Sequence, residues 1–258
     1  MTELKKEIVL IGIGEIGGVL AKGFLRLGYT LHPITREMEI EQRAAQLPKP
    51  TLVVVAVGEK DLPSVLEKLP TPWKQRTCLL QNELLPEEWA GIADPTVISI
   101  WFEKKPGMDP KVIIPSPVFG PHADLLSKAL AAVNIPTTRL EEKDQLLFQL
   151  VVKNLYILTT NIAGLKTGGT VSELWQSHKP FAESVAREVI LLQEAMTSRS
   201  FDSEALIQAM LAAFDGDPEH KCMGRSAPVR LQRALKHADR LKLELPQLRQ
   251  LEQMQPAN

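Results

Sequence analysis

Cysteine is nearly absent from the chain. Cys78 and Cys222 are the only two and lie far apart, too few for a disulfide framework or a zinc site; they read as reduced thiols. Net charge is nearly absent too. Thirty Lys and Arg against 31 Asp and Glu leave a formal charge of -1, so no global field draws the protein to nucleic acid or an anionic membrane. No unbroken apolar run reaches the about 18 residues that span a bilayer, and the opening MTELKKEIVLIGIG lacks the cleavage pattern of a secretory signal. These absences predict a cytoplasmic protein with no membrane and no nucleic-acid partner. His32, His122, His178, His220 and His237 are scattered, without metal-ligand spacing, so no metal is expected. No G-x-S-x-G elbow occurs, which excludes a hydrolase of that kind.

What remains is ordinary globular composition, 44% hydrophobic over 258 residues, enough for one large domain or two modest ones. The first half alternates strand and helix. EIVLIGIG (7–14) is a strand apolar on both faces that breaks into glycines, and the helix after it sets Ile16, Val19, Leu20, Phe24 and Leu27 on one side. TLHPI, TLVVVAV, TCLLQ and TVISIWF continue the strands, with Pro33 marking an end or irregularity of the second. KVIIP and PTTRL flank the helix HADLLSKALAAV. Such alternation predicts a Rossmann-type, doubly wound parallel sheet.

The pattern changes near Leu140. A long helix runs through LLFQLVVKNLYILTTNIAGL, and Thr170 with Glu173 has capping-box spacing for the next. Pro180, Asp202 and Pro228 open three more. The expected organisation is therefore an α/β domain over 1–141 and an all-helical domain over 142–258. The basic cluster Arg225, Arg230, Arg233, Lys236, Arg240 and Lys242 reads as a solvated helix face.

Gly12-Ile13-Gly14-Glu15-Ile16-Gly17 is a G-x-G-x-x-G between a strand and a helix, the context that gives this motif meaning. Gly12 suits a tight turn, Gly14 the approach of a pyrophosphate, and Gly17 close helix–strand packing; the helix N-terminus favours phosphate. After the second strand comes Thr35-Arg36 rather than an early acid. Arg36 either holds a 2′-phosphate, which selects NADP(H), or is a surface charge paired with Glu39 or Glu41. In VVKNLYILTTN, Lys153 and Thr160 form one line on the long helix, with Asn154 and Asn161 beside it. A polar stripe on an apolar helix either lines a ligand cleft, with Lys153 as general acid toward a ketone oxygen, or is a snorkelling lysine with packing amides.

Several segments resemble those of ketopantoate reductases (2-dehydropantoate 2-reductases), in the same order and over nearly the whole chain. LLQNELLPEEW resembles the family's Q-N-G segment, VFGP a glycine turn, VVKNLYILTTNIAGL the helix with a lysine eight positions before an asparagine, and HADRLKLELP the last helix. The resemblance implies reduction of a small 2-keto acid by NADPH, on the route to pantothenate. Lys153 would be the catalytic proton donor; Asn82, Asn161 and Asn154 would bind substrate, and Asn82 would also approach the nicotinamide. It leaves room for a homodimer through the helical domain. The departures are Gly58 where the family has lysine (Lys60 follows two residues on), Glu83 for the glycine of Q-N-G, Ile157 for an asparagine and Ser226 for a glutamate. They imply a different small 2-keto acid or another carbonyl as substrate, or a non-catalytic NADP(H)-binding protein descended from such a reductase.

Overall fold

The computed structural model describes residues 6–255; residues 1–5 and 256–258, the outer ends of the two expected domains, lie outside the described residues. The chain divides into two compact units, Met1–Gln149 and Leu150–Asn258.

The first unit is built on strands β1 (Glu7–Ile11), β2 (Thr30–Ile34), β3 (Leu52–Val55), β4 (Thr77–Leu79), β5 (Thr96–Ile98), a hairpin β6 (Phe102–Glu103) and β7 (Lys111–Val112), then β8 (Ser116–Phe119) and β9 (Thr137–Arg139). Its helices are α1 (Glu15–Arg26), α2 (Ile40–Gln46), α3 (Leu62–Lys68), α4 (Thr71–Lys74) and α5 (Ala123–Ala131). The main sheet has seven strands in the order β2-β1-β3-β4-β5-β8-β9. All four residues of β3 are fully buried. That is why its sequence is an unbroken Leu-Val-Val-Val rather than an alternation. Val9, Val53 and Leu79 fill one face; Leu10, Val54 and Cys78 fill the other with Leu20 and Phe24 of α1. Pro33 is tolerated inside β2 because β2 is an edge strand.

The sheet departs from the expected all-parallel form at one place. KVIIP does not enter it; Lys111–Val112 pairs with Phe102–Glu103 in the separate hairpin. The neighbour of β5 is instead SPVF of β8, the sixth strand in the order, which runs antiparallel to β5. The physical reason is the connection: a hairpin rather than a crossover helix joins β5 to β8, and a parallel return requires a crossover. Helix α2 is also unannounced by the sequence, since IEQRAAQ is short and mostly polar.

Helix α6 (Lys143–Thr167) begins in the first unit and continues into the second. It is the one described helix long and apolar enough to cross a membrane, and most of it is buried inside the fold. The second unit adds α7 (Val171–Ser177), α8 (Lys179–Thr197), α9 (Ser203–Gly216), α10 (Ala227–Leu241) and α11 (Pro246–Gln253). The capping box forms as spaced: Thr170 Oγ1 accepts from Glu173 N–H at 3.2 Å and Glu173 Oε2 accepts from Thr170 N–H at 2.7 Å. Asp202 caps α9 through Oδ1. Glu188 of α8, buried, caps α11 from outside, its two oxygens accepting Gln247 N–H at 2.7 Å and Leu248 N–H at 2.9 Å.

Candidate functional site

Two groups of residues carry chemistry, one in each unit.

In the first unit the glycine turn leaves the end of β1. Gly12 has φ +89, and its N–H donates to Ile34 O at 2.9 Å. A Cβ there would lie 2.6 Å from Ala56 O, and one at Gly17 would lie 2.4 Å from Gly12 O. Both glycines are therefore required by backbone contact within the protein. Gly14 is different: a Cβ there would meet nothing within 4 Å. Packing does not demand glycine at 14, and the open space in front of it suits a pyrophosphate approaching the N-terminus of α1. Beside the turn is a cavity of ≈ 550 Å³ lined by Gly12, Ile13 and Gly14 and by Arg36, Asp61 and Lys68. A dinucleotide half fits such a hollow. Ile16 packs against the core. Glu15 is exposed at the first turn of α1, where its charge favours the helix but opposes a phosphate; Lys104 Nζ, 2.9 Å from Glu15 Oε2, offsets it.

Arg36 lines this cavity and bonds neither Glu39 nor Glu41. Its Nη2 donates to Asp61 Oδ2 at 3.1 Å. Gly58 also lines the cavity, while Lys60 is exposed and does not; the amine on the wall is that of Lys68.

The Q-N-E segment follows β4. Gln81 is buried and structural: Nε2 donates to Val55 O at 2.7 Å and Val57 O at 3.2 Å, and Oε1 accepts from Leu80 N–H. It fastens the end of β3 beside the end of β4. Asn82 is exposed in the turn that follows, and Glu83 has φ +56, the left-handed conformation that suits a glycine. Gly120 of VFGP has φ +110, and a Cβ there would lie 2.5 Å from Pro95 O.

In the second unit, the polar residues of α6 face different partners. Asn154 is buried, and its Nδ2 donates to Gln193 Oε1 of α8 at 2.9 Å. This is the packing role that the spacing left open for it. Thr160 donates to Tyr156 O of its own helix. Asn161 Nδ2 donates to Ile157 O at 2.8 Å, which turns its Oδ1 toward α10, where Arg230 Nη1 donates to it at 3.2 Å. Lys153 keeps part of its side chain accessible, and its Nζ lies 5.7 Å from the centre of the Tyr156 ring. Burial first, then the positive charge of Arg230, push its pKa down to about 7. Gly164 lets α6 meet the loop before α10, since a Cβ there would lie 2.9 Å from Cys222 Cβ. Ser226 is exposed at the N-terminal end of α10, and Ile157 is buried.

Arg230 of α10 thus bonds Asn161 and lowers the pKa of Lys153, while Asn154 bonds α8 instead. Arg230 was hidden in a cluster read as solvated surface. Its signal was periodicity: it falls between Ala227 and Ala234, on the side of α10 that is buried. Among the described residues, no group of His, Cys, Asp and Glu is placed to hold a metal ion.

Neither a family model nor a curated protein sequence matches the chain. Solved structures do match. One is a 2-dehydropantoate 2-reductase from Methylococcus capsulatus, 13% identical, with a TM-score of 0.67 over 96% of this chain and 95% of that one. Another is a probable 2-dehydropantoate 2-reductase from Bacillus subtilis, 17% identical, with a TM-score of 0.67 over 96% and 98%. A third is a D-mandelate dehydrogenase in a ternary structure with NADH and anilino(oxo)acetate, 12% identical, with a TM-score of 0.66 over 96% of each chain. The chain has the fold of ketopantoate reductases.

Proposed function

We propose that the protein is an NADPH-dependent reductase of a small 2-keto acid. The observation that carries the reading is the glycine turn at α1 with open space at Gly14 and a cavity beside it, and Lys153 of α6, whose pKa burial and Arg230 bring down to about 7, is the proton donor. Structural lysines at surfaces keep their ordinary value. A proton donor to a ketone works best with a pKa near the working pH. The glycine turn and its cavity support a dinucleotide, and Arg36 on the cavity wall supports a 2′-phosphate.

When bound, the nicotinamide supplies the hydride. The first turn of α1 would hold the pyrophosphate by its N–H groups, and Arg36 would hold the 2′-phosphate. Lys153, as the ammonium, donates a proton to the oxygen of the carbonyl as its carbon is reduced. The product is a 2-hydroxy acid, and the neutral amine regains its proton from water. Asn161 and Asn82 are assigned to the substrate, Asn82 also to the nicotinamide. The helical unit is the proposed site of dimer formation, and a cytoplasmic location goes with the reading.

The test is oxidation of NADPH, and of NADH, against a panel of 2-keto acids that includes 2-dehydropantoate. Turnover of some panel member is expected. With Gly58, Ile157 and Ser226 in place of polar residues, 2-dehydropantoate should be a poor substrate, since a site loses discrimination when hydrogen-bonding partners are missing. NADPH binding without turnover of any 2-keto acid would favour the second reading, a non-catalytic NADP(H)-binding protein.

A further inference from the structure

We propose that Lys104, carried by the β6–β7 hairpin, is a ligand of the cofactor's diphosphate and exchanges Glu15 for it when the cofactor binds. The assignment rests on the reading of the glycine turn as a dinucleotide site, and it does not depend on turnover.

The hairpin is short but anchored. Phe102 pairs with Val112 and Glu103 with Lys111. Phe102 is buried in the core that holds Leu20 and Phe24 of α1, and Val112 packs against the same core. Lys104 is the first residue beyond β6, so that packing sets its place. Lys105 Nζ pairs with Glu103 Oε2 at 3.2 Å. Lys104 Nζ instead meets Glu15 Oε2 at 2.9 Å and the Lys105 carbonyl oxygen at 2.7 Å. An ammonium has three N–H donors, and these contacts engage two. The Lys104 side chain is only 18% exposed, that of Glu15 44%. The cation is therefore the held member of the pair and the carboxylate the loose one.

Lys104 lines a hollow of ≈ 620 Å³ with Ile13, Gly14, Glu15, Gly18 and Lys22. Ile13 and Gly14 also line the cavity that holds Arg36. The glycine turn thus borders two hollows, one with Arg36 on its wall and the other with Lys104. A Cβ at Gly14 or at Gly18 would meet nothing within 4 Å, so this flank of the turn is open to a ligand.

Glu15 alone would repel a diphosphate from the N-terminus of α1, where the helix dipole attracts it. An ammonium is a compact charge suited to phosphate oxygens. A half-exposed carboxylate returns to water at small cost, because a screened ion pair is weak. A diphosphate brings more negative charge and more acceptor oxygens than one carboxylate, so Lys104 gains by the exchange. Its bond to the Lys105 carbonyl needs no change.

The other role open to the pair is to fasten the hairpin to α1, and the two roles differ in sign. If only fastening matters, Lys104→Met and Glu15→Gln break one contact and shift cofactor affinity in the same direction. If Lys104 is a diphosphate ligand and Glu15 its competitor, they shift it in opposite directions.

The experiment uses the full chain with Lys104→Met, Lys104→Arg and Glu15→Gln, each first shown to melt near the parent. Binding of NADPH, of ADP and of 2′-AMP, which has no diphosphate, is measured by calorimetry. Lys104→Met should weaken NADPH and ADP by about tenfold or more, and Lys104→Arg should restore most of that loss. Glu15→Gln should strengthen both by about two- to fivefold. Neither Lys104→Met nor Glu15→Gln should alter 2′-AMP. Shifts of the same sign in these two variants, an unchanged NADPH affinity in Lys104→Met, or an equal loss for 2′-AMP would overturn the assignment while leaving the dinucleotide reading intact. ADP held through Lys104 in a parent that binds no NADPH would keep the diphosphate site and sink the dinucleotide reading. Binding of none of the three would remove both. If Lys104→Met does not fold, Glu15→Gln carries the test, and an NADPH affinity that fails to rise would count against the proposal.

Discussion

Arg36 donates to Asp61 across 3.1 Å on the wall of the cavity at the glycine turn. The Arg36 side chain is 86% exposed and that of Asp61 34%, so the pair is screened and separates at little cost. On the proposed reading, a 2′-phosphate would compete with Asp61 for the same guanidinium. NADPH should therefore bind more tightly than NADH, by about tenfold for one charge-assisted contact. Arg36→Asp should erase the preference, and Asp61→Asn should enlarge it by removing the competitor. Fluorescence titration with both cofactors checks this; equal affinities in the parent would remove the NADP assignment.

As the proposed proton donor, Lys153 would set a pH dependence. With its pKa near 7, the ammonium is lost as pH rises through 7, so turnover should fall on the alkaline side. Arg230→Met removes one of the two causes of the depression, and the alkaline limb should move to higher pH. The sign for stability is opposite to that of a paired lysine. Between about 7 and the ordinary value of about 10.4 the unfolded chain binds more protons, so stability rises with pH across that window. Lys153→Met should flatten this slope, as read from urea midpoints at several pH values. Lys153→Ala should cut turnover by about 10²–10⁴-fold and leave NADPH binding nearly intact. A fully active Lys153→Ala protein would end the mechanistic reading.

Glu188 gives a prediction free of any functional claim. Its two oxygens satisfy two backbone N–H groups at the start of α11 from a buried position. Glu188→Ala should cost about 2–3 kcal/mol, and Glu188→Gln less, because one acceptor survives. Thermal melts of the two variants would check the order; a Glu188→Ala protein as stable as the parent would refute the capping role.

Glu83 occupies a left-handed turn with φ +56. Glu83→Gly should melt no lower than the parent. Glu83→Val should lose about 1–2 kcal/mol, because a β-branched residue is more strained there. A Glu83→Val protein as stable as the parent would refute this account of the turn.

The parallel core was legible because strands buried on both faces leave unbroken runs such as Leu52 to Val55. The glycine turn was legible because a tight turn at Gly12 and a close approach at Gly17 exclude other residues. The reversal at β8 was not. It depends on how residues 99–115 fold back, and Ser-Pro-Val-Phe carries no mark of direction. In the helical unit, Asn154 and Asn161 are the same residue type seven positions apart on one helix. Only the partner helix separates them: α8 supplies Gln193 to one and α10 supplies Arg230 to the other. Arg230 escaped notice because one inward cation among outward ones has the same composition as a solvated face. Gln81 was passed over for its neighbour Asn82, though its amide fastens β3.

The two cysteines fall one to each unit. Cys78 lies in β4 and Cys222 in the loop before α10; both are free and fully buried. Burial raises their pKa values to about 12 and about 11, so neither reacts as a thiolate in the native state. Each thiol becomes accessible only when its own surroundings open. A pulse of alkylating reagent, read by mass spectrometry on the two cysteine peptides, therefore times the opening of each half separately in the unmodified protein. Cofactor should slow labelling at Cys78 more than at Cys222.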